Sequence, residues 1–147
     1  MKWSRLLVQN CLFGIVVIMM SCSKGGNPAD DGSGGSHVVT PSDITPPVIT
    51  IATPTANQVF SNGSNITISG RITDDLGLYR GTIKLVNDAT GFSIVNQPYE
   101  IHGLLQYNYS LSQVITVQAA TDFTVTVSFE DHGNNITSQT AKIRVNP

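Results

Sequence analysis

The chain has 147 residues, with 8 Lys and Arg against 10 Asp and Glu and a formal net charge of −2. That length accommodates one domain plus appendages. Nucleic-acid binding, which depends on clustered Lys and Arg, is excluded by an acidic balance that shows no basic patch.

Residues 1–21 begin with Lys2 and Arg5 and continue into an apolar block whose unbroken part is the ten residues Cys11 to Met20. A membrane-spanning helix needs about 18 or more consecutive apolar residues, so this block is too short to cross. A basic start followed by ~7–15 apolar residues is the layout of a secretory signal peptide. The block runs through Met19, Met20 and Ser21 to Cys22. Cys11 and Cys22 are the only cysteines, and Cys11 would leave with a signal peptide. The chain from Cys22 onward then has no internal disulfide available, although export would permit one. Loss of Lys2 and Arg5 would also lower the basic residues from 8 to 6, leaving a net charge of about −4 by this count.

The "MMSCSK" stretch resembles the cleavage region of bacterial lipoproteins of the Bacteroidetes type, in which an apolar residue or two and a small residue precede an obligatory cysteine. The resemblance implies that Cys22 is lipidated, that the peptide is cut before it, and that the protein is tethered to the outer membrane, facing periplasm or cell surface. Met19 and Ser21 depart from the commonest residues of that pattern, which favours leucine and then glycine or alanine.

Residues 22–45 follow as the lipidated terminus and a linker rich in Gly, Ser, Pro, Asp and Asn, with no apolar period. Random-coil scaling gives about 23 such residues a reach of roughly 25–30 Å. From residue 46 to 147 the apolar period becomes two, the mark of half-buried strands. Ile49 and Ile51 share a face, as do Ile66, Ile68, Gly70 and Ile72; Ile83 and Leu85; Phe123, Val125, Val127 and Phe129; and Ala141, Ile143 and Val145. Strands are predicted near 47–53, 65–73, 78–87, 92–96, 99–103, 106–117, 122–130 and 136–145, with Pro98 and Gly103 interrupting the middle. Seven to eight strands joined by turns such as Asn62-Gly63 predict an all-β sandwich.

Three motifs give that expectation a family. Asp43-Ile44-Thr45-Pro46-Pro47 leads into the first strand, Asp74-Asp75-Leu76-Gly77-Leu78 follows the second, and Glu130-Asp131-His132-Gly133-Asn134 follows the strand at 122–130. In order and spacing they resemble the bacterial immunoglobulin-like domain, with Glu130 standing where that pattern has Asp. The resemblance implies an immunoglobulin-like β-sandwich and a non-enzymatic interaction or structural role, and it brings the 74–77 and 130–135 loops to one pole.

Asp74, Asp75, Glu130 and Asp131 would then form a candidate calcium set, since calcium takes six to eight oxygen ligands. The same residues also suit turn geometry, with Asp and Asn bonding nearby amides and Gly77 and Gly133 placed to supply positive φ. Tyr107 and Tyr109 share strand parity and form a candidate sugar-stacking pair, against the alternative that they belong to the core. The only tryptophan, Trp3, lies in the signal segment. His37, His102 and His132 lack the close His or Cys partners of a zinc site. No nucleophile elbow frames the Ser, His and Asp residues, so no enzyme is expected.

Overall fold

The computed structural model describes residues 38–147, so Cys22 and the segment before it lie outside the described residues. Eight strands form two sheets: β1 (Val48–Thr53), β2 (Gln58–Ser61), β3 (Asn65–Thr73), β4 (Leu78–Asn87), β5 (Ser93–Glu100), β6 (Gln106–Val114), β7 (Thr121–Asp131) and β8 (Ile136–Asn146). One sheet has the order β1-β3-β6 and the other β2-β8-β7-β4-β5. All pairings are antiparallel except that of β2 with β8, which is parallel.

The period-two pattern explains the two layers. Ile66, Ile68 and Ile72 of β3 face Ile83 and Leu85 of β4, the four alternate apolar residues of β7 from Phe123 to Phe129, and Ala141, Ile143 and Val145 of β8, all buried in one core. Full burial of each such side chain contributes about 1.5–3 kcal/mol relative to exposure, and the polar Thr and Ser between them remain on the wet faces. Gly70 also points inward, opposite Tyr109 in the β3–β6 register. The Tyr109 ring lies across that position and its hydroxyl donates to the Thr50 carbonyl at 3.1 Å. A Cβ on residue 70 would run into that ring and the Thr50 oxygen, so glycine is what lets the tyrosine cross to β1.

Two features differ from the pattern-based expectation. The two short strands expected at 92–96 and 99–103 are a single strand, β5. It pairs only with β4, and at this sheet edge Pro98 sits opposite Thr82 without interrupting a central ladder. The short β2 was not expected at all. After the first strand the chain leaves the three-stranded sheet at Thr53-Pro54 and adds β2 beside β8, so its first two strands belong to different layers.

Candidate functional site

The loops after β3, β5 and β7 meet at one end of the sandwich, together with the segment before β1. Backbone bonds tie them together: Asp74 and Leu78 donate to Leu105 and Leu104, His132 donates to Gly77, and Thr40 donates to His132. Part of the stretch expected as linker is therefore packed against the domain. Asp43 is only 3% exposed, its carbonyl accepts from the Asn135 side chain at 3.0 Å, and its amide donates to Thr40.

Asp131, the last residue of β7, continues the inward parity of Phe123 to Phe129 and is fully buried. Its Oδ1 accepts from the Gly133 and Asn135 amides at 2.7 and 2.8 Å, and its Oδ2 accepts from the Asn135 side chain at 2.9 Å. A carboxylate with three donors is the anchor of its turn, not a spare ligand. The turn's left-handed residue is Asn134, with φ 67°, and not Gly133. Glycine is needed at 133 for space, because a Cβ there would collide with the Asp43 carbonyl.

Asp74 plays a similar part in its own loop. Its Oδ1 accepts from the Leu76 and Gly77 amides at 3.1 and 2.6 Å. Among the described residues, its Oδ2 is buried with no hydrogen-bond partner, and no donor meets either carboxylate oxygen of Asp43 in full hydrogen-bond geometry. Asp43, Asp74 and the exposed Asp75 each place a carboxylate oxygen within 4.8 Å of the others. Burial, then the negative charges of Asp131, Asp74 and Asp75, push the Asp43 carboxyl above its ordinary range; only the Thr45 amide pulls the other way.

The four carboxylates expected as a calcium set are thus not together. Glu130 precedes the inward-facing Asp131 and so points to the opposite face of β7, where it accepts from Arg80 Nε at 2.8 Å. That ion pair holds the Arg80 guanidinium above its ordinary pKa. The residue that completes the acidic cluster is Asp43, which stands in the motif before the first strand but in a stretch of linker composition.

The candidate sugar platform is corrected in the same way. Tyr107 and Tyr109 do share a face, but it is the inner one. Tyr109 is 2% exposed and burial pushes its hydroxyl up to about 12. Tyr107 is half-buried and packs edge-on to Tyr99, whose ring also meets Phe129, both at 5.9 Å between centroids. Neither offers a free aromatic face. His102 and His132 lie at the acidic end, where their rings pack together at 5.7 Å and against Tyr79; His37 lies outside the described residues.

The family model described as a bacterial Ig domain matches residues 47–101, which run through β1 to β5. No curated protein matches the chain. Among solved structures it is similar to the fibronectin(III)-like modules of CbhA from Clostridium thermocellum, at 14% identity over 67% of this chain and 94% of that one, with a TM-score of 0.43. It is also similar to a Niemann-Pick type C2 protein from the Japanese carpenter ant, at 11% identity over 69% of this chain and 90% of that one, with a TM-score of 0.42. Two packed sheets of eight strands, with the family match across the first five of them, give the described residues an immunoglobulin-like β-sandwich fold.

Proposed function

We propose that this chain is a membrane-anchored lipoprotein that displays a non-enzymatic immunoglobulin-like module at the cell envelope, on the outer membrane, for contact with an envelope partner. The observation that carries the reading is Cys22: it closes an apolar block too short to span a bilayer, and no second cysteine remains beyond it to form a bridge. Acyl chains on that residue would account for both facts, since each buried methylene contributes ~0.8 kcal/mol and two or more chains anchor stably. The domain supports the interaction role through its acidic end, where Ile44, Leu76, Leu104 and Leu105 are exposed on neighbouring loops. Exposed apolar side chains gathered on one end of a small domain favour contact with another macromolecule.

Cys22→Ser tests the anchor. Wild type is expected in the membrane fraction and labelled by radioactive palmitate, and the variant is expected to lose the label and either leave the membrane or retain residues 1–21. A variant that labels and fractionates like wild type overturns the reading.

A further inference from the structure

We propose that Asp43, Asp74 and Asp75 bind a calcium ion that clamps the segment before β1 to the loop between β3 and β4. The cluster alone would not carry this, since exposed acids commonly gather without a ligand. The independent observation is Asp43 itself. Its carboxylate is buried and, among the described residues, no donor meets either oxygen in full hydrogen-bond geometry, the Thr45 amide alone pulling against the rise in its pKa; the buried Oδ2 of Asp74 lacks a donor too. A buried carboxylate is ordinarily answered by donors, by a cation or by a proton. Among the described residues, every charged side chain that acts on Asp43 is another acid, namely Asp131, Asp74 and Asp75.

The donor chemistry selects the ion. All three groups are carboxylates, within 4.8 Å of one another, which suits a hard cation and not one that prefers nitrogen or sulfur. Asp43 and Asp74 are held for this purpose by other bonds. The Asp43 backbone is fixed by Thr40 and Asn135, and Asp74 uses Oδ1 for its own loop while Oδ2 is left over. A shallow hollow lined by Thr45, Pro46, Thr73, Asp74 and Asp75 opens beside the cluster, so water can complete the coordination. An irregular set of this kind, finished by solvent, fits calcium better than magnesium, which requires near-ideal octahedral geometry. Asp131 contributes negative field and no ligand, because both its oxygens are engaged.

The site joins two separate stretches of chain, so occupancy should be read in stability and in local opening. The full chain in detergent, stripped with chelator and then given calcium chloride to 10 mM, is expected to melt about 5–15 °C higher, as for an extracellular-type site of Kd about 10⁻⁴–10⁻³ M. Amide exchange at Thr40 and Asp43 should slow about tenfold or more. Asp43→Asn should abolish both responses. Asp75→Asn alters an exposed residue and so keeps the test alive should the first variant not fold; it should weaken the calcium response at least tenfold in concentration. An unchanged melting temperature and unchanged exchange in wild type overturn the proposal, as does an equal response to magnesium. The site does not depend on the lipid anchor, and failure of either reading leaves the other standing.

Discussion

The two ends of the sandwich treat their acidic residues in opposite ways. At the end where β4 finishes and β7 begins, Asp88 accepts from Thr124 at 2.7 Å and from Lys142 at 3.2 Å, and Asp122 pairs with Arg144 at 3.2 Å. The Thr124 hydroxyl, followed by Lys142, holds the Asp88 carboxyl below its ordinary range. At the other end Asp43 is pushed above that range by burial and by neighbouring acids. The first end neutralises itself with residues of adjacent strands, β7 beside β8, whose cross-strand register fixes Asp122 opposite Arg144. The second brings together loops in which, among the described residues, the charges acting on Asp43 are all acidic. A charge balance achieved inside the chain holds a fold together; one left incomplete is where a ligand can act.

The sharpest way to break the acidic end is through the one acid there that is fully satisfied. Asp131→Ala removes three hydrogen bonds to a buried carboxylate and strands the Gly133 and Asn135 amides. The expected loss is about 3–5 kcal/mol, read in urea unfolding, because charge-assisted bonds and orphaned buried donors both count. A loss below 1 kcal/mol would show that the turn closes without its aspartate.

Asp43→Asn should do the reverse when calcium is chelated. It keeps the shape and removes a charge that folding confines among three others. At neutral pH the variant should be more stable than wild type, because a carboxyl whose folded-state pKa is raised opposes folding in its charged form. A clear destabilisation in chelator would mean that the buried carboxylate has a partner of its own.

Asp88 provides the contrasting pH dependence. Its folded-state pKa is depressed, so its contribution is complete above the ordinary carboxylate value and disappears as pH falls through the lowered one. The stability difference between wild type and Asp88→Asn should therefore be flat near neutrality and close as the solution becomes acid. A difference that grows on acidification would contradict the direction of the shift.

Much of this arrangement is legible in the sequence, and the misplacements have physical reasons. The inward residues of β3, β7 and β8 follow directly from alternation. Carried two residues further, the same alternation places Asp131 inside and Glu130 outside, so the separation of those two acids was available from parity alone. Tyr107 and Tyr109 share parity with Leu111, which also packs against the core, and that was the available signal against an exposed platform. Asp43 was hidden for a different reason. It sits in a tract whose composition matches a flexible linker, and its burial comes from contacts with residues about 90 positions away, such as Asn135. Composition carries no information about such contacts. The four residues of β2 are too few to show a period, and their pairing with the last strand is equally non-local.

The smallest expected effect belongs to the self-neutralised end, and it bears most directly on how the two ends differ. Lys142 is largely exposed while its partner Asp88 is mostly covered, and Asp88 retains Thr124 if the lysine is removed. Exposed pairs of this kind contribute about 0.2–1 kcal/mol and are screened by salt. Lys142→Ala should thus lower stability by no more than ~0.5 kcal/mol at low ionic strength, and the difference should vanish in about 1 M salt, where the screening length is ~3 Å. A larger, salt-insensitive loss would mean that the pairing is a structural clamp. The contrast would then lie between a clamp built from side chains and one awaiting an ion, not between a solvated end and a buried one.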